Sequence, residues 1–268
     1  MRTAAGPVAE ARLAAMARRD EIIAFCDELL AISSFDDYGP NGLQVPGAPE
    51  VTKLASGVSA NLEFLEAAVG AGAQLVLAHH GLLWGSEVSP LSGPMAARLR
   101  ALLCADTSLA AYHLPLDAHA EIGNNALLRQ RLGLDPDSRP FGEAKGAAIG
   151  AIGLAPDPIS VSELARRLEE ATGREPLVFD SGPEEIRSVG IVTGGGGFAI
   201  HEAGRLGLDA LVTGEPSEPV MGESREYGVH FLAGGHYATE TLGIRALGEL
   251  VAERFGLEHE FVDVPNPV

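Results

Sequence analysis

The run Leu75-Val76-Leu77-Ala78-His79-His80 constrains this chain more than any other stretch, because an apolar segment stops abruptly on two adjacent imidazoles. Bounded by Gly72 and Gly81, it reads as a buried strand of an α/β sheet. Ligands of such sheets sit just beyond the carboxyl ends of the strands, where the two histidines fall. Side chains one position apart on extended chain diverge, so the pair is not expected to chelate one ion as helical i, i+4 histidines do. Each imidazole can instead serve a different metal ion. The missing ligands must then be nitrogen or oxygen donors, since the chain has only two cysteines.

With 268 residues and 46% hydrophobic content, the chain can bury a full core as one large or two modest domains. Its net charge of -18 argues against nucleic acid as the main partner, because phosphate-backbone affinity rests on Lys and Arg. Cys26 and Cys104 both lie in amphipathic helix patterns, which makes a disulfide framework improbable and a reducing, cytoplasmic location the expectation. Residues 1–19 hold Arg2, Arg12, Arg18 and Arg19 among many alanines, without the apolar core of a signal peptide, and read as an extension. No window approaches the roughly 18 apolar residues of a membrane span.

Ile22, Ile23, Phe25, Cys26, Leu29 and Leu30 recur at helical spacing, with Asp20 able to cap the start. Pro40, Asn41 and Gly42 then mark a turn, and the adjacent carboxylates Asp36 and Asp37 before it are either solvated or metal ligands. A strand over 53–58 and a helix over 61–71 complete a β-α unit that delivers the 75–80 strand, which implies a parallel sheet. The Gly-, Ser- and Pro-rich segment from Gly81 to Pro94, with Trp84 close after the histidine pair, is either a surface loop or a lid that packs an indole beside the site. A helix over 95–105 follows. Ser108 to His113 reads as a second strand ending on histidine, and Asp117 beyond it as an N-cap or, given the nearby histidines, a cation ligand. A helix is expected over 124–132.

Between Ala147 and Leu177 an apolar run precedes a helix over 163–172 capped by Ser162. A strand over 186–193 leads to Gly194-Gly195-Gly196-Gly197, and Glu215 lies about 20 residues on, at the end of the strand 210–213. This formally fits a dinucleotide-binding pattern; a tight turn needing positive φ explains the glycines equally. After a strand ending at Gly234-Gly235, His236 and Glu240 sit at i and i+4 on one helix face. A surface ion pair is the plain reading of that spacing, but its place after a buried strand parallels His79 and His80. No second histidine completes a zincin motif after His201-Glu202, and there is no Gly-x-Ser-x-Gly elbow or Walker loop. His119, His201, His230 and His259 read as structural or surface residues, and His113 as a group behind the ligands or a proton donor.

Asp37-Tyr38-Gly39-Pro40-Asn41-Gly42-Leu43-Gln44-Val45, Ala78-His79-His80-Gly81, His113-Leu114-Pro115-Leu116-Asp117-Ala118-His119 and Gly235-His236-Tyr237-Ala238-Thr239-Glu240 together resemble the Nif-three-like family, often called GTP cyclohydrolase type 2 homologues. The resemblance runs from about Asp20 to Val268. It implies a two-lobed α/β fold with mixed sheets flanked by helices and a dinuclear metal site between the lobes. Lobe one would span about 20–125 plus 236–268 and lobe two about 126–235, without the middle domain inserted in longer members. It also implies a toroidal homohexamer. By motif match the metal ligands are His79, His80, Asp117, His236 and Glu240, the same donors that the spacing singled out.

Three imidazoles and two carboxylates can hold two divalent cations, zinc, iron, manganese, cobalt or nickel, with one carboxylate bridging and positions left for water. The expected chemistry is metal-dependent hydrolysis of a nucleotide-like small molecule, with His113 or Glu215 moving protons. The rival readings are a metal-storage, metal-delivery or regulatory protein without turnover, and a dinucleotide-binding protein using the Gly194–Ala199 loop.

Overall fold

In a computed structural model of the chain, residues 16–85 and 90–268 are described. The fold is mixed α/β, built on two principal sheets whose carboxyl edges meet. Most of the 1–19 extension and the middle of the loop after Trp84 lie outside the described residues.

The first sheet has the order Glu258–Phe261, Lys53–Ser59, Leu75–His80, Ser108–Ala111, Gly42–Val45, with only the Gly42–Val45 edge antiparallel. The alternation of strand side chains explains its layers. Leu75 and Leu77 face a core shared with Ile22 and Cys26 of the helix Arg19–Leu29 and with Ile244, Leu247 and Val251 of the helix His236–Phe255. Val76 and Ala78 face the opposite core, against Phe64, Leu65 and Leu102 of the helices Leu62–Gly70 and Gly93–Cys104. By the same parity His79 points to the side of the helix His236–Phe255, and it is fully buried there.

The second sheet has the order Leu177–Phe179, His230–Ala233, Ala210–Thr213, Ile186–Val192, Ala151–Ile159, Asp135–Asp137. Its three central strands are parallel. Their ends are laced together, since Gly214 N–H donates to Gly194 O, Gly234 N–H to Thr213 O and Gly235 N–H to Gly214 O. The helix His236–Phe255 starts from this edge and packs on the first sheet, so it carries its first turn into the space between the two edges.

Several local expectations shift. The helix over 161–172 is capped by Ser160, whose Oγ accepts from Glu163 N–H, and not by Ser162. The first helix begins at Arg19 without a side-chain cap, so Asp20 lies inside its first turn. The strand expected to end on His113 stops at Ala111, and His113 instead precedes the short helical turn Leu114–Asp117. Asp117 therefore closes that turn and caps nothing. Among the described residues no helix is long and apolar enough to cross a membrane.

Candidate metal centre

Both strand-terminal histidines reach one site, contrary to the divergence expected of neighbours on an extended chain. At the very end of the strand their ring centroids lie 4.7 Å apart. His79 Nε2 is 3.6 Å from Asp117 Oδ1 and 3.6 Å from Glu240 Oε1. His80 Nε2 is 3.3 Å, and His236 Nε2 3.2 Å, from Glu240 Oε2. Glu240 thus presents one oxygen to His79 and the other to His80 and His236. The five residues picked out by spacing and resemblance are together, although they come from three segments of chain.

What aims the Nε2 atoms inward is an outer partner on each Nδ1. His79 Nδ1 is 2.9 Å from Tyr112 O, His80 Nδ1 is 3.2 Å from Ser59 Oγ, and His236 Nδ1 is 3.2 Å from Glu215 Oε1. His113 repeats the pattern, its Nδ1 lying 2.7 Å from Asp37 Oδ1. Fixing one ring nitrogen to an oxygen leaves the other for a metal or a proton, an arrangement metal sites use to set ring orientation. His79, His80 and His113 offer ligand atoms within 4.8 Å of one another, as do His80, His236 and Glu240. His113, reached from the sequence as a proton donor or supporting residue, therefore borders the same space.

The residues fit a metal ion by two independent signs. His79 Nε2 and Glu240 Oε2 are buried without a hydrogen-bond partner among the described residues, an arrangement that costs free energy unless something else satisfies them. The electrostatics point the same way. Burial is the largest influence on His79 and favours its neutral form, but the charges of Asp117 and Glu240 outweigh it and raise the pKa to about 9. His236 also rises to about 9, its burial outweighed by Glu240 and Glu215. His80 is pushed down to about 3, chiefly by burial. Burial raises Asp117, whereas the imidazoles around Glu240 overcome its burial and hold it well below the usual carboxylate range. Two carboxylates and several imidazoles confined in a largely buried space suit a cation between them.

Spacing did not reveal the residues that hold this geometry. Asp37, expected to be solvated or a ligand, is neither: its side chain is 3% exposed and it accepts from Asn41 Nδ2 and from the Leu114 and Tyr38 N–H groups as well as pairing with His113. Burial opposes its ionisation, yet His113 and these donors hold it below the usual carboxylate range. Asn41 Oδ1 accepts from His113 N–H, and Gln44 Oε1 accepts from Leu82 and Leu83 N–H. The 37–45 motif is thus a clamp on His113 and on the loop after His80. Asn124, fully buried, donates to Asp117 Oδ1 and accepts from Gly243 N–H. Asn125 donates to Asp117 O and Ile149 O and accepts from Thr193 N–H, tying both sheets to the turn that carries Asp117.

The glycine run also serves this centre. A Cβ on Gly194 would lie well inside van der Waals contact of Glu240 Oε1 and 3.1 Å from His236 Nε2, so the space that the absent side chain frees is filled by the cluster itself. Gly194 has φ of 63° as well. Glu215, which the dinucleotide pattern would assign to a ribose, instead pairs with His236. The other histidines are structural or on the surface. His119 Nδ1 accepts from the Glu121 and Ile122 N–H groups, His259 pairs with Ser56 Oγ, His230 bridges Gly182 and Pro183, and His201 lies beside Glu223. Cys26 is buried and Cys104 exposed, both free.

A cavity of about 460 Å³ opens on the cluster, bordered by His80, His113, His236, Ser59 and Trp84. The indole flanks it, 5.9 Å from the His80 ring and 5.2 Å from the His113 ring.

Comparison with known proteins places this arrangement in a family. The model of Duf34/NIF3 (NGG1p interacting factor 3) matches residues 17–267. A GTP cyclohydrolase 1 type 2 homolog of Pseudomonas aeruginosa is 44% identical over 241 residues, covering 90% of this chain and 95% of the relative. One of Pyrococcus abyssi is 43% identical over 249 residues, covering 92% and 98%. Among solved structures, protein ybgI, of unknown function, superposes with a TM-score of 0.88 at 42% identity, covering 94% of this chain and 100% of that one. TTHA1606 of Thermus thermophilus does so with a TM-score of 0.85 at 35% identity, with the same coverage. On this agreement of motif, fold and length, the chain belongs to the Duf34/NIF3 family.

Proposed function

We propose that the chain is a dinuclear metal protein that hydrolyses a nucleotide-like small molecule. The observation that carries this reading is the convergence of three imidazole Nε2 atoms on Glu240 and Asp117, with His79 Nε2 and Glu240 Oε2 buried and otherwise unsatisfied. Glu240, with one oxygen toward His79 and the other toward His80 and His236, would hold cations together with these rings and Asp117. Divalent cations held there would supply Lewis acidity and bring the pKa of a water from ~15.7 toward ~7.

The chain's own residues do the rest. Tyr112 O, Ser59 and Glu215 hold the three rings in register. His113, its Nδ1 anchored by Asp37, keeps Nε2 to pass a proton to or from a bound molecule. Glu215 acts first through His236, which it orients. The names of the curated relatives support a nucleotide-like substrate.

The test is an assay of ring opening and phosphoester hydrolysis with protein loaded in turn with zinc, manganese, iron(II), cobalt and nickel. The Asp117→Ala variant is expected to lose at least the roughly ten- to hundredfold of activity that removing a partner behind a metal ligand costs. Equal activity in that variant would sink the mechanism. Tight metal binding with no hydrolysis of any candidate would favour a storage or delivery role.

A further inference from the structure

We infer that the cavity beside the metal cluster contains a stacking subsite for a flat, uncharged heteroaromatic ring, with Trp84 as its platform. The inference deepens the hydrolase reading and rests on the cluster being a centre where a substrate is handled. Trp84 is the only tryptophan of the chain. Its side chain belongs to none of the apolar cores and is 47% exposed. An indole left open to solvent forgoes the large stabilisation that burying it would bring, so its place at the mouth of a cavity calls for a ligand.

The indole is also held still. Its Nε1–H donates to Gly81 O at 3.0 Å, which fixes the ring plane and satisfies its one polar atom. The backbone beneath it is pinned by Gln44 Oε1 on Leu82 and Leu83 N–H and by the Gly85 N–H donated to Tyr38 O. Gly39 lets the two loops close, because a Cβ there would collide with Leu83 O. A ring fixed in this way stacks on a ligand with little loss of side-chain entropy. Tyr38, on the other flank of His113, is not equivalent, since Lys145 Nζ sits 4.7 Å over its ring.

The lining decides what kind of group enters. Among the described residues the cavity presents Ser59, His80, Trp84, His113, His236 and Asn266 with a few apolar neighbours, and no Lys or Arg. An anionic group would find no Lys or Arg there, whereas a neutral ring finds an aromatic face and a polar rim. Asn266 uses its Oδ1 to accept from Val268 N–H, so its NH2 group remains to donate to a ring nitrogen or carbonyl. The volume of about 460 Å³ accommodates a bicyclic base with a sugar. The subsite therefore takes the base of a nucleotide-like molecule.

The only tryptophan makes the test direct. The zinc-loaded protein is titrated with inosine, and separately with ribose 5-phosphate as the ring-free anion, while indole fluorescence is followed; binding of labelled inosine is measured in parallel by equilibrium dialysis. Inosine is expected to quench the emission saturably and ribose 5-phosphate to leave it unchanged. Trp84→Ala is expected to weaken inosine binding about tenfold or more, as removal of a stacking aromatic does, with zinc content unaltered, and Trp84→Phe to keep most of it. Inosine bound equally by the wild type and Trp84→Ala, or not bound at all, would overturn the subsite. Either result leaves the Asp117→Ala hydrolysis test standing, while inosine bound at Trp84 without turnover of any substrate would remove the hydrolase reading and keep the subsite.

Discussion

Replacing Gly194 by alanine is expected to cost about 2–4 kcal/mol of stability and to disrupt metal binding, through overpacking together with strain at a left-handed position. The new methyl would enter the space of the Glu240 carboxylate, and neither group can retreat. Gly194 N–H donates to Thr239 Oγ1, while its carbonyl accepts from the Gly214 and Glu215 N–H groups and from Thr213 Oγ1. Glu240 is held among three imidazoles at 3.2 to 3.6 Å. Gly195 next door is the control, since the nearest neighbour of a Cβ there would be Glu215 Oε1 at 3.6 Å, and the residue is exposed. Gly195→Ala is expected to change stability by less than about 0.5 kcal/mol. Urea denaturation and metal analysis of both variants check this. Equal behaviour of the two would show that the glycines are not there to admit Glu240.

Metal uptake by the stripped protein is expected to release about two protons per subunit at neutral pH, and to tighten about tenfold per pH unit for each of two ions, about a hundredfold for both together, until it levels off near pH 9. The sign follows from the two raised imidazoles. His79 and His236 are both drawn to about 9 by neighbouring carboxylates against the opposing effect of burial, so each carries a proton at neutral pH. A ligating imidazole must be neutral, and those protons have to leave. His80, pushed down to about 3 by burial, is already neutral and gives none. Above about 9 the competing protons are gone and affinity stops rising. Calorimetric titration in two buffers of different ionisation enthalpy counts the protons. Uptake without proton release, or affinity indifferent to pH between neutrality and 9, would contradict this picture of the cluster.

The parts of the molecule that can be read from the chain are those in which local pattern and burial coincide. The continuous apolar run of residues 75–78 reads as a buried strand, and helices cover it on both faces. His236 and Glu240 can be paired because i, i+4 spacing places them on one helix face. The side-by-side meeting of His79 and His80 does not follow from an extended strand, on which neighbouring side chains diverge. Asp37 reads as a solvated or ligating carboxylate because nothing nearby in sequence explains it; its partner His113 is 76 residues away. Asn124 and Asn125 give no signal at all. Their bonds reach Gly243, Ile149 and Thr193, contacts that exist only once both sheets are assembled. The glycine run is legible as a tight turn, but what the turn makes room for lies on another segment.

The measurement that bears most directly on the centre is the metal content per subunit by elemental analysis, on protein purified without added metal. The wild type is compared with a variant carrying both His79→Ala and His236→Ala. About two transition-metal equivalents in the wild type, lost in the double variant, are expected of a dinuclear centre. A wild type that holds no metal, and takes up none on titration, would mean that these histidines serve the fold alone.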